Sequence, residues 1–168
     1  SIFQNYIDIL ESKLLDKEFI CVCEDDVYFC EGAKEHIEMA MSQLPKGWEL
    51  LSGNYSHLRK IVKVSENLIE SNSDSSSFNF TIFHKRSLEK IKSKLHLRNL
   101  NEMNLFRHID RFCFSEETEM ESYGIWPMVC REFAGFSHTG NRFRNVFELR
   151  MADKPYIYRF IDKQEFKI

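Results

Sequence analysis

Positive charge in excess, long apolar runs and glycine-rich loops are all missing from this chain, and each absence removes a class of function. Its 23 Lys and Arg against 26 Asp and Glu leave a formal net charge of -3 over 168 residues. No general polycation is present to grip nucleic acid, so any phosphate recognition has to be local. No apolar run approaches the roughly 20 residues that cross a bilayer, and no charged segment followed by an apolar stretch opens the chain as a secretory leader would. The six glycines form no Gly-rich phosphate loop. No CxxC pair occurs among the five cysteines, which disfavours a zinc site built from Cys21, Cys23 and Cys30. Cys21 and Cys23 flank Val22 in an apolar segment and read as reduced core residues.

What is present is the material for a core. The chain is 43% hydrophobic and 14% aromatic with 15 Phe, enough for one domain spanning residues 1–168. Two Asn-x-Ser/Thr sequons begin at Asn54 and Asn79 and matter only in a secreted protein. Ser1 runs straight into apolar positions spaced three and four apart, so the chain is expected to be a fragment.

The periodicity predicts a helix over residues 2–15, a polar break, and a strand at 19–23 whose unbroken apolar run reads as buried on both faces. A helix follows over 31–43 with Ile37, Ala40, Met41 and Leu44 on one face, stopped by Pro45-Lys46-Gly47. Trp48 to Leu51 then enters a second strand. Strand, helix and strand predict a parallel crossover unit. Residues 65–77 are serine-rich and read as a surface loop or lid. A strand over 78–84 and a helix over 87–95, with Leu88, Ile91 and Leu95 inward, come next. Residues 99–114 hint at a helix carrying Asp110 and Arg111, and 123–130 read as an aromatic turn leading into a short strand. Arg131, Arg142, Arg144 and Arg150 place positive charge late in the chain.

Chemistry is suggested at one place, Glu24-Asp25-Asp26, where three acids follow the apolar strand. In open α/β sheets ligands bind outside the carboxyl ends of the strands. Three adjacent carboxylates repel, and burying one unpaired costs several kcal/mol, so a divalent cation or solvent has to offset the charge. A solvated acidic turn is the plain alternative.

Four blocks carry a family resemblance: Ile20 to Phe29 with its Glu24-Asp25-Asp26-Val27; Leu44-Pro45-Lys46-Gly47-Trp48-Glu49-Leu50-Leu51; Phe80 to Ile91; and Asp110-Arg111-Phe112 with Tyr123, Pro127 and Gly135-Phe136-Ser137. In order and spacing they resemble glycosyltransferase family 25, the lipooligosaccharide sugar transferases. The resemblance implies a GT-A-like, mostly parallel α/β sheet flanked by helices, without the N-terminal nucleotide-binding strands. It implies hexosyl transfer from a nucleotide-diphosphate donor, a UDP-sugar, to a glycan or lipooligosaccharide acceptor in lipopolysaccharide biosynthesis. The location implied is cytoplasmic, with peripheral association at the inner membrane as an option. Asn79-Phe80 stands where the family commonly has Gly-Tyr, and His138 follows Ser137 where an Asp is usual.

Under this resemblance Asp26 ligates Mn²⁺ or Mg²⁺, Glu24 assists through water or the donor ribose, and His138 is a third ligand or a diphosphate contact. Glu24 and Asp25 belong with the donor, Asp25 facing away from the cation. Arg142 and Arg144 either clamp the diphosphate or solvate a loop. Asp110 is the candidate base for the acceptor hydroxyl, or else pairs with a neighbouring arginine. Two other classes stay open: a degenerate or incomplete transferase domain acting as a binding module, and a different metal-dependent phosphoryl-transfer or hydrolase enzyme.

Overall fold

The computed structural model describes residues 8–9, 12, 16–54, 62–71, 79–96, 112–114, 118–132, 135–137 and 142–144. The predicted helix over 2–15 lies mostly outside them, although Asp8, Ile9 and Ser12 are helical. The described elements run β1 (Phe19–Cys23), β2 (Val27–Phe29), α1 (Ala33–Ser42), β3 (Leu50–Ser52), β4 (Leu68–Glu70), β5 (Phe80–His84), α2 (Lys85–His96), β6 (Ser122–Ile125), β7 (Cys130–Glu132), β8 (Gly135–Ser137) and β9 (Arg142–Arg144).

Five strands make one sheet in the order β1-β5-β3-β6-β4, and β2-β7 and β8-β9 form two-stranded ribbons. The chain is therefore α/β, but the sheet is mixed: β5 is antiparallel to both β1 and β3, β4 is antiparallel to β6, and β3 with β6 is the parallel pair. The expected mostly parallel sheet is corrected on this point. Strands β1 and β3 do run the same way, as a crossover through α1 requires, but β5 is inserted between them. A helix-length connection fixes strand direction without fixing adjacency. The aromatic strand at 80–84 fits that gap because all five of its residues are buried.

Insertion of β5 leaves β1 at the edge of the sheet. Its burial alternates, with Phe19 43% exposed and Cys21 and Cys23 exposed, so the reading of a strand buried on both faces and of core thiols is overturned. An apolar run reports hydrophobicity, not how many neighbours a strand has. The serine-rich stretch also hides a strand, since Leu68 and Ile69 are fully buried in β4. Residues 72–78 lie outside the description. The turn expected from Tyr123 begins instead at Trp126, and β6 occupies Ser122–Ile125 inside the sheet.

The two helices cover opposite faces. Leu88 and Ile91 of α2 pack with Leu50, Phe83 and the Phe112–Phe114 segment, which places the weakly patterned Phe112 and Cys113 in the core. Ala33 and Ala40 of α1, with Ile37, Met41 and Leu44 half-buried beside them, pack with Leu51, Leu68, Ile82, Tyr123 and Ile125. Such a three-layer arrangement is what apolar stripes on two helices and a two-sided sheet produce.

Two polar groups at the ends of strands in this frame are matched. The carboxylate of Glu49, a residue only 4% exposed, accepts from Lys90 Nζ at 2.7 Å and from the backbone N–H of Glu121 at 2.9 Å, tying α2 to the start of β6. His84, at the β5–α2 junction, accepts from the Arg86 backbone N–H through Nδ1 at 3.2 Å, the geometry of a helix N-cap. Trp48 is half-buried and meets the His84 ring edge-on at 5.2 Å.

Candidate functional site

Strand register gathers one end of the sheet. Cys23 pairs with Phe80, Ser52 with Thr81 and Gly124, and Leu68 with Ile125. The carboxyl ends of β1, β3 and β6 therefore meet the amino ends of β5 and β4, and the chain leaves β1 there as Glu24-Asp25-Asp26. In open, mostly parallel α/β sheets ligands bind outside such carboxyl ends. All three acids are exposed, with Asp25 and Asp26 forming the turn into β2.

Glu24 is anchored at both its backbone and its side chain. Its backbone N–H donates to Asn79 O at 2.9 Å, and its Oε2 accepts from Asn79 Nδ2 at 3.0 Å. Asn79 is 1% exposed, and its Oδ1 in turn accepts from Asn54 Nδ2 at 3.5 Å. Asn54, itself 4% exposed, has its carbonyl bonded by the Ser52 hydroxyl. Gly53, between them, donates to Phe80 O and accepts from Val129 N–H, both at 3.0 Å.

The negative charge of this turn is felt locally. The Cys23 thiol is held above its usual range, first by partial desolvation and then by the charges of Glu24 and Asp26. Both carboxylates thus act on the last residue of β1. Two residues beyond Asp26, Tyr28 pairs in register with Arg131 of β7, a half-buried guanidinium whose pKa is lowered by burial.

The donor chemistry of Glu24 and Asp26 suits a hard divalent cation, because both offer carboxylate oxygen. Among the described residues no group of three or more His, Cys, Asp or Glu side chains converges as a metal-ligand set. His138 and Asp110 lie outside the described residues. Arg142 and Arg144 occupy β9, in register with Ser137 and Gly135 of β8.

An open apolar depression of about 410 Å³ is lined by Phe29, Ala33, Lys34, Ile37, Glu38 and Phe80. Phe29 meets Phe80 edge-on at 5.1 Å, and the acidic triplet does not line it. Sequence reasoning flagged Asn79 as a sequon and a departure from Gly, and Asn54 only as a sequon. Their pairing links positions 25 residues apart, which no local pattern reports. No family model, curated protein or solved structure matches the chain. No helix among the described residues is long and apolar enough to cross a membrane.

Proposed function

We propose that residues 1–168 form a glycosyltransferase domain of the family 25, GT-A-like type, moving a hexose from a UDP-sugar to a glycan or lipooligosaccharide acceptor with Mn²⁺ or Mg²⁺. The observation that carries this reading is the place of Glu24-Asp25-Asp26 at the carboxyl end of β1, beside the ends of β3 and β6, with Glu24 held by a buried amide. Asp26 and Glu24 hold the cation, with His138 as third ligand. When bound, the cation offsets charge on the departing nucleoside diphosphate. Asp25, Arg142 and Arg144 serve the donor, and Asp110 takes the proton from the acceptor hydroxyl. The proposed setting is cytoplasmic, with peripheral association at the inner membrane as an option.

Removing one charge from the pair while keeping its shape tests this. Asp26→Asn is expected to fold as the parent does and to lose Mn²⁺-dependent release of UDP from a UDP-sugar by about a hundredfold or more, the scale set by loss of electrostatic stabilisation. Full activity in Asp26→Asn overturns the assignment. A second reading, a non-catalytic glycan- or partner-binding module, is favoured by the exposure of all three acids and by the two-carboxylate donor set among the described residues.

A further inference from the structure

Two hydrogen bonds fix which way the backbone of the edge strand β1 points. Lys85 N–H donates to Glu18 O at 2.8 Å and Glu24 N–H donates to Asn79 O at 2.9 Å, both in the register that pairs β1 with β5. In an antiparallel ladder the residues that exchange hydrogen bonds alternate with residues that turn their N–H and C=O the other way. Glu18, Ile20, Val22 and Glu24 therefore bond toward β5, while Phe19, Cys21 and Cys23 turn theirs outward, where no strand lies among the described residues. The side chains of the same three residues are exposed, Phe19 to 43%. They share a face with Phe80 and Ile82, which lie opposite Cys23 and Cys21. That apolar face continues past Phe80 into the depression bounded by Phe29, Ala33 and Ile37. Natural sheet edges are commonly blunted by a charge or a proline, and Phe19–Cys23 holds neither. Charge sits at the two ends instead: Asp16 and Glu18 before the strand, and Glu24, Asp25 and Asp26 after it, all exposed, with Lys17 the one cation among them.

This distribution of charge selects the occupant of the edge. A second copy pairing antiparallel over all 5 residues of β1 sets Cys21 against its own equivalent, and so Glu18 against Glu24 and Asp16 against Asp26. Like charges directly opposite one another are destabilising. An extended chain with cations at both ends meets attraction at both, whichever way it runs. We propose that the outer edge of β1 binds a basic extended peptide as an added strand. Its backbone bonds to Phe19, Cys21 and Cys23, its alternate apolar side chains lie on the face those residues share, and Lys or Arg flank them. Main-chain bonds supply the affinity in this mode of recognition, and the alternate side chains the specificity. The inference stands independently of the transferase reading.

The test is fluorescence anisotropy of the capped, fluorescein-labelled peptide KKVTLTVKK titrated with the full 168-residue chain. Beside it stand EEVTLTVEE, KKSTSTSKK and two versions of the first peptide, N-methylated at one or the other set of alternate residues. Of the unmethylated peptides only KKVTLTVKK is expected to bind, more weakly as salt is raised. One methylated version should lose binding and the other keep it, because an added strand bonds through alternate amides. Asp16→Lys/Asp25→Lys should weaken binding by about tenfold, two exposed attractions having become repulsions, with circular dichroism checking that the variant folds as the parent does. No binding of KKVTLTVKK, equal binding of EEVTLTVEE, or loss in both or neither of the methylated versions overturns the proposal. Unchanged affinity in a folded Asp16→Lys/Asp25→Lys overturns it too. If that variant does not fold, the peptide series on the parent chain decides. A parent chain that sediments as a dimer, returned to monomer by Phe19→Lys, assigns the edge to a second copy and overturns the peptide reading.

Discussion

Replacing Gly53 with alanine should be among the most damaging single-methyl changes in the molecule. A Cβ at this position would collide with Phe80 Cδ1 and stand 2.8 Å from Val129 Cγ2. Neither neighbour has room to retreat, since Phe80 is 6% and Val129 0% exposed. The glycine cannot withdraw either, because its N–H is bonded to Phe80 O and its carbonyl to Val129 N–H, each at 3.0 Å. Overpacking a tight core costs about 1–3 kcal/mol, and a site pinned from both sides belongs at the upper end. At roughly 2–4 °C per kcal/mol for a chain of this size, a cost of about 3 kcal/mol lowers Tm by roughly 6–12 °C. The assay is thermal unfolding followed by circular dichroism, with Phe80→Leu as a companion. Trimming the ring should make the two substitutions strongly non-additive, Gly53→Ala costing far less on the Phe80→Leu background. A Tm for Gly53→Ala within about 2 °C of wild type would refute the reasoning, since it would mean that the end of β3 yields without cost.

Glu49→Ala should destabilise by about 2–3 kcal/mol, below the range for a fully enclosed pair because the Lys90 side chain is 38% exposed, as read from urea unfolding. Breaking the exposed Lys34–Glu38 contact at 3.9 Å should cost under about 0.5 kcal/mol in the same assay. Burial first, and then the Arg86 charge, hold the His84 pKa below its usual value against the opposing pull of Glu18. The unfolded chain consequently takes up a proton at His84 before the native chain does. This contribution to stability is complete above about pH 6.5 and is lost as pH falls below it; Tm measured from pH 8 to 5 should fall more steeply in wild type than in His84→Asn. Ellman's reagent should titrate two thiols in the native protein, Cys21 and Cys23, and reach Cys30, Cys113 and Cys130 only on unfolding. The Cys21 thiol is pushed up to about 11, by desolvation and then by Cys23, so its reaction rate should still be rising at about pH 9.

Local chemistry was readable and pairing was not. The apolar run at 19–23, the stripe of Ile37, Ala40 and Met41, and the stripe of Leu88 and Ile91 each announced an element, because helical and strand periods are properties of adjacent residues. The partner of β1 is β5, some 60 positions later, and nothing within 19–23 tells an edge strand from a central one. Leu68 and Ile69 were masked by the serines around them, although both are fully buried. At the candidate site the acids were legible as a charged cluster at a strand end. The fixing of Glu24 was not, because it depends on Asn79 and Asn54, which flank two other strands.

The central claim is that Glu24 and Asp26 form half of a cation and diphosphate site. Thermal unfolding of the intact chain with Mn²⁺ alone, UDP alone and both together tests it most directly, with Asp26→Asn in parallel. A ligand bound only by the native state at about 100 times its Kd stabilises by about 2.7 kcal/mol, so the account predicts a rise of roughly 5–11 °C with both ligands, at 2–4 °C per kcal/mol. It predicts a much smaller rise with either one alone, and none in Asp26→Asn. Equal shifts in wild type and Asp26→Asn, or no shift with UDP and Mn²⁺ together, would contradict it.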